Sequence, residues 1–152
     1  MDIQVDVQSV MTDPKTETQI VLLRSQKNQN EILPIWVGAV EGSAIQFALE
    51  GVTPPRPMSH DLLKSMMDHM SVRLQKIIIT EIRNNTYYAM AYIEVKGKTL
   101  TIDTRPSDAI ALAVRNHAPI FASDQVFKKK GGEQLDNWLS KLNPKDFGDY
   151  NA

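Results

Sequence analysis

Between residues 72 and 103 the chain reads as three β-patterned runs, "VRLQKIIITEIR", "TYYAMAYIEV" and "KTLTID", separated only by "NN" and "KG". Connections of two such residues join antiparallel neighbours, so these runs predict a three-strand meander. The second turn also sets a register. With Lys96 and Gly97 as the loop, Val95 faces Lys98, Ile93 faces Leu100 and Ala91 faces Ile102, which gives one apolar face. The other face then holds Tyr92 beside Thr101, Met90 beside Asp103, and Tyr88 beside Arg105. Asp103 and Arg105 are thereby expected on the tyrosine face, away from the core.

The meander runs directly into "TRPSDAIALAV", a helix expected from about Pro106 to Asn116. Proline at the first helical position needs no amide partner, and Asp108 in the first turn suits the positive end of the helix dipole. Ala109 to Val114 are apolar all round the axis, which predicts a central, closely packed helix.

The first third of the chain adds three strands. Ile3, Val5 and Val7 alternate with polar residues, and "QIVLLR" is a continuous apolar run of the kind covered on both faces. "KNQNE" reads as a turn before "ILPIWV", where Pro34 lacks an amide donor and predicts an edge strand or a bulge. A helix follows over "GAVEGSAIQFALEG", with Val40, Ala44, Ile45, Phe47, Ala48 and Leu49 as its apolar stripe and Gly51 as its stop. "VTPPRPM" is a stiff connector. Ser59 is the expected N-cap of the next helix, whose stripe of Leu62, Leu63, Met66, Met67 and Met70 suits a core or a subunit contact. "APIFAS" reads as a short returning strand.

These elements define an α+β fold in a single domain, a mixed and largely antiparallel sheet with a central apolar helix and flanking helices. The domain is expected over residues 1–127. "KKKGG" reads as a hinge to a short tail, residues 128–152, whose Leu135, Trp138, Leu139 and Leu142 form an amphipathic helical stripe.

Composition removes several classes of function. The 152 residues contain no cysteine, which excludes disulfides, thiolate metal sites and a cysteine nucleophile. No stretch is apolar enough to span a membrane, and the N-terminal residues lack the pattern of a secretory signal, so the expected compartment is the cytoplasm, with no membrane partner. The net charge is −1, with a pI near 6.3. A non-specific nucleic-acid binder usually has a basic excess, so any such contact must be local, weak or metal-assisted.

Three stretches, "LPIWVG", "ALEGVTPPRPMSHDLL" and "IDTRPSDAIALAVR", followed by "APIF", resemble the bifunctional nuclease domain family in its own motif order. The resemblance covers roughly residues 3 to 127. Gly42 and Ser43 depart mildly from the family's Ala-rich helix start, and the tail shows no match to the UvrB/UvrC-like motif that some relatives carry. The resemblance implies a single α+β domain, and plant members are described as cleaving both RNA and DNA. It assigns no active site, so candidates come from residue chemistry.

Phosphodiester hydrolysis calls for charge stabilisation at phosphate and an activated water, commonly through carboxylates that hold Mg²⁺ or Mn²⁺. Residues of suitable type within the motifs are Glu50, Arg56, His60, Asp61, Asp103, Arg105 and Asp108. The catalytic candidates are Asp103, Arg105, Asp108 and His60. The metal candidates are Asp103, Asp108 and Glu50, and the substrate-binding candidates are Arg56, Tyr88 and Tyr92. Each also has a structural reading: Asp108 as a first-turn acid, Arg105 as its partner, His60 as a packed or capping histidine. The competing function is a non-catalytic assembly module, a homo-oligomer with a dimer favoured, held by the methionine stripe and the Trp138 segment. A third reading is a small-ligand sensor walled by Tyr88 and Tyr92.

Overall fold

The computed structural model describes residues 1–130. From β1 to β7 its elements follow the expected order, and α4 is an addition: β1 (Asp2–Thr12), β2 (Gln19–Ser25), β3 (Ile32–Val37), α1 (Ala39–Glu50), α2 (Ser59–His69), β4 (Arg73–Arg83), β5 (Thr86–Val95), β6 (Lys98–Thr104), α3 (Pro106–Asn116), β7 (Ile120–Ser123) and α4 (Asp124–Lys130). The strands form one mixed sheet in the order β3-β2-β1-β7-β4-β5-β6. Only β7 and β4 run parallel; every other pairing is antiparallel. The α+β, single-domain expectation is therefore met.

Both meander turns put two consecutive residues in the left-handed region: Asn84 and Asn85 at φ 51° and 62°, Lys96 and Gly97 at φ 51° and 78°. That is the backbone of the tight hairpin whose twist matches its strands. The β5–β6 register is the one expected, with Ile93 opposite Leu100, Ala91 opposite Ile102 and Met90 opposite Asp103. Pairing ends at Ala89 and Thr104, because Arg105 leaves the strand to become the N-cap of α3. Arg105 is therefore not beside Tyr88. Proline at the first position of α3 ended the ladder, and Arg105 turns to the helix-covered side.

The sheet curls. Tyr87 on β5 donates its hydroxyl to the Pro34 carbonyl on the edge strand β3, 3.0 Å away, although four strands separate them in sheet order. Inside the curl, α3 packs on β4 and β5 and touches α1 and α2. Val21, Leu23, Leu33, Ile35, Ile45, Ile77, Ile79 and Ile110 are almost wholly buried there with Ala109, Ala111 and Ala113. The small side chains of α3 let neighbouring backbones approach closely. Met11, Ile20 and Leu22 form a separate buried cluster.

Three local expectations change. The N-cap of α2 is Met58, not Ser59, and the Met58 amide donates to Asp61, 2.9 Å away, so the acid at the third helical position closes back onto the residue that precedes the helix. Lys128 to Lys130 belong to α4, and Gly131 and Gly132, the rest of the expected hinge, lie outside the described residues. Finally, α2 has no buried residue: Leu62, Leu63, Met66 and Met70 are 44–68% exposed, as are Leu100 and Ile102 at 50% and 48%. Of the stripe of α2 only Met67, partly buried, packs against the core. Leu135, Trp138, Leu139 and Leu142 lie outside the described residues.

Candidate functional site

Three helices point their N-termini at one place. Each carries an acid at its third position: Glu41 on α1, Asp61 on α2 and Asp108 on α3. Acids are favoured there because the first-turn amides lack intrahelical acceptors and the helix dipole is positive. Two basic side chains then tie the helices to one another.

Arg105 is the first. Its Nε donates to Asp108 Oδ2 at 2.9 Å and its Nη2 to Oδ1 at 3.2 Å, a two-pronged contact, while Nη1 reaches Glu41 Oε1 at 3.4 Å. His60, at the second position of α2, places Nε2 2.9 Å from Asp108 Oδ1. Burial pushes the Asp108 carboxyl up, but hydrogen bonds from Arg105 and His60, and the charge of both, outweigh it and hold the group below its ordinary range. The same contact with Asp108 raises the Arg105 guanidinium, which stays charged. The Arg105 side chain is 64% exposed and His60 only 13%. One member therefore faces incoming molecules while the other is held in place.

Arg115 is the second tie. Its Nε donates to Asp61 Oδ1 at 2.8 Å, and its Nη1 donates to the carbonyls of Ala44 and Ala111 at 3.1 and 3.0 Å. One buried guanidinium thus joins all three helices. The Arg115 hydrogen bond, with help from the Met58 amide, holds Asp61 below the usual carboxylate range despite some burial.

His60, Arg105, Asp108 and Glu41 stand at the rim of a cleft of about 560 Å³. Its walls are otherwise mostly apolar, including Leu63 and Met67 of α2, Ala91 and Ile93 of β5, Ile102 of β6 and Leu112 of α3. Glu41 and Arg105 also border a second recess of about 310 Å³, made with Trp36, Asn85, Thr86, Tyr87 and Ser107. The Glu41–Arg105 pair is the shared wall of the two.

The remaining candidates lie elsewhere. Asp103 points from the opposite face of the sheet, exposed, because it alternates with Ile102 and Thr104 along β6. Glu50, at the far end of α1 from Glu41, accepts a hydrogen bond from Gln46 at 2.6 Å. Arg56 is exposed in the connector before α2. Tyr88 and Tyr92 are on the Asp103 face, where Arg83 lies 4.8 Å over the first ring and Lys76 4.9 Å over the second. They border none of the cavities described above. So His60, Arg105 and Asp108 come together, whereas Asp103, Glu50, Arg56, Tyr88 and Tyr92 do not join them.

Glu41 and Arg115 escaped selection from the sequence. The only signals were an acid three residues after Gly38 and a base in the last turn of an apolar helix, both of which read equally well as dipole compensation.

The curled α+β sheet with this helix-end cluster belongs to a recognised class: residues 21–134 match the bifunctional nuclease domain, and the chain is a member of that family. It is 33% identical over 115 residues to the uncharacterized protein Rv1829 of Mycobacterium tuberculosis, covering 76% of this chain and 68% of that one. It is 28% identical over 132 residues to bifunctional nuclease 2 of Arabidopsis thaliana (84% of this chain, 40% of that one). With bifunctional nuclease 1 of Oryza sativa subsp. japonica it shares 28% over 114 residues, 73% of this chain and 34% of the rice protein. Most of each plant protein lies outside the match. Among the described residues, no helix is long and apolar enough to cross a membrane.

Proposed function

We propose that this domain hydrolyses phosphodiester bonds in RNA or DNA, with the chemistry at the His60–Asp108–Arg105 cluster. The observation that carries this reading is the chain of contacts from His60 Nε2 through Asp108 to the exposed guanidinium of Arg105 at a cleft rim. Asp108 accepting the Nε2 proton fixes the tautomer and leaves Nδ1 of His60 as the proton acceptor. In hydrolysis, His60 takes a proton from water as its oxygen bonds to phosphorus; the ester oxygen leaves and is protonated from solvent. Arg105 supplies charge to the phosphate oxygens. An incoming phosphate competes with Glu41, the longer of the two Arg105 partners.

Mg²⁺ or Mn²⁺ held by Asp103, Asp108 and Glu50 does not fit this arrangement. Those carboxylates face different regions, both oxygens of Asp108 are engaged, and no three His, Asp or Glu side chains come together as a ligand set among the described residues. A second reading, a non-catalytic assembly module in the cytoplasm, is favoured by the exposed Leu62, Leu63, Met66 and Met70 of α2.

The test is cleavage of single-stranded RNA and DNA by the purified chain in Mg²⁺, Mn²⁺ and EDTA, beside Arg105→Ala. Cleavage that falls at least tenfold in the variant supports the assignment. Equal rates for the two proteins, or no cleavage under any condition, contradict it.

A further inference from the structure

Helix α3 begins without the cap that its first turn calls for. Its N-cap is Arg105, whose side chain has no acceptor and makes no capping hydrogen bond. The amides that a capping acceptor serves are those of Ser107 and Asp108, at the second and third helical positions. In the neighbouring helices the acid at the third position folds back. Asp61 accepts from the Met58 amide, and the Glu41 carboxylate lies against Gly38. In α3 the corresponding acid is drawn off, since both oxygens of Asp108 go to Arg105 and His60. The positive end of α3 is left open, where Arg105, Pro106 and Ser107 border the smaller recess.

Ser107 is an independent sign of a ligand there. Ser25 and Ser107 are the buried polar residues of the described chain, at 1% and 7% exposure. The Ser25 hydroxyl accepts from the amides of Lys27 and Asn28, both at 3.1 Å. The Ser107 hydroxyl has no hydrogen-bond partner among the described residues, although buried hydroxyls are as a rule satisfied. It stands at the wall of the recess, beside the uncapped amides and the Arg105 guanidinium. All of these groups donate, and together they call for an anion. The one acid in the wall is Glu41, held to Arg105 at 3.4 Å.

The recess measures about 310 Å³, more than a bare phosphate needs. Across it stand Asn85 and Thr86 of the β4–β5 turn, an amide and a hydroxyl that suit a sugar rather than an apolar tail. Displacing Glu41 from Arg105 also favours the ligand with more charge. A phosphate monoester carries about −1.5 to −2 at pH 7, against about −1 for a diester.

We propose that this recess binds the phosphate monoester of a nucleotide, with the phosphate on Arg105, the Ser107 hydroxyl and the first-turn amides of α3. The site shares Arg105 with the cleavage centre proposed above but does not rest on cleavage. It lies on the other side of the Glu41–Arg105 pair and needs no turnover.

Isothermal titration calorimetry on the full chain in EDTA tests it, with uridine monophosphate, uridine and inorganic phosphate as probes. Uridine monophosphate is expected to bind at least tenfold more tightly than either of the others. Ser107→Ala removes only a hydroxyl and is expected to weaken that binding about tenfold, the ordinary loss of a hydrogen bond to a charged group. Glu41→Gln frees Arg105 and is expected to tighten it a few-fold, a gain that misfolding does not mimic. The proposal is overturned by an absence of binding, or by uridine or phosphate binding as tightly as the monophosphate. An affinity unchanged by Ser107→Ala, or one not raised by Glu41→Gln, overturns it equally.

Discussion

Asp103 and Asp108 are five residues apart and end on opposite sides of the sheet. The strand's two-residue period sends Asp103 outward, while Arg105 and Asp108 follow the chain into the helix. The sequence pattern exposed the first fact through the register of the "KG" turn. It hid the second, since nothing in "TRPSD" tells where an N-cap arginine swings. His60 was equally opaque, because its partner lies 48 residues away and only tertiary packing joins them. Two predictions belong here. Replacing His60 by alanine should slow cleavage by about 100-fold or more, the ordinary contribution of a positioned acid–base group, as read by kcat on a labelled oligonucleotide. Glu41→Gln removes a competitor for Arg105 and should tighten oligonucleotide binding, by a few-fold in Kd measured by fluorescence anisotropy.

Among the elements, α2 shows most clearly what pattern reading gives and what it misses. Its stripe was visible, but periodicity identifies an apolar face without saying what covers it, and here only Met67 packs against the core while Leu62, Leu63, Met66 and Met70 stay exposed. Besides Met67, what holds α2 is polar: Asp61 to Arg115, and His60 to Asp108. Arg115→Ala should therefore destabilise the fold by about 3 kcal/mol, because a buried cation with three hydrogen bonds is lost and Asp61 is left without its partner. Urea denaturation of both proteins measures it. Asp61 also gives the helix a pH dependence. Its carboxyl titrates lower in the folded chain than in the unfolded one, so its contribution is complete above about pH 4 and fades as pH falls through the folded value. Stability of Asp61→Asn, measured between pH 5 and 2, should fall less steeply than that of the unmodified chain.

For the whole molecule, the alternating and continuous apolar runs made the seven-strand α+β layout legible, and Pro34 and the two turns located one edge and one meander. The curl that brings β3 to β5 was not legible, since it rests on Tyr87 meeting a carbonyl 53 residues away. That curl gathers three helix N-termini at one rim and leaves the Asp103 face outside. The chain as a whole is nearly neutral, so substrate affinity must come from local groups at the rim, and salt should weaken it less than it weakens a strongly basic binder.

The central claim is that the chemistry sits at this rim and not on the outer face. It is tested most directly by comparing single-strand cleavage by His60→Ala and Asp103→Asn with the unmodified chain, each confirmed folded. Loss in the His60 variant with full activity in the Asp103 variant is the predicted result. Loss in the Asp103 variant with activity retained in the His60 variant would contradict it.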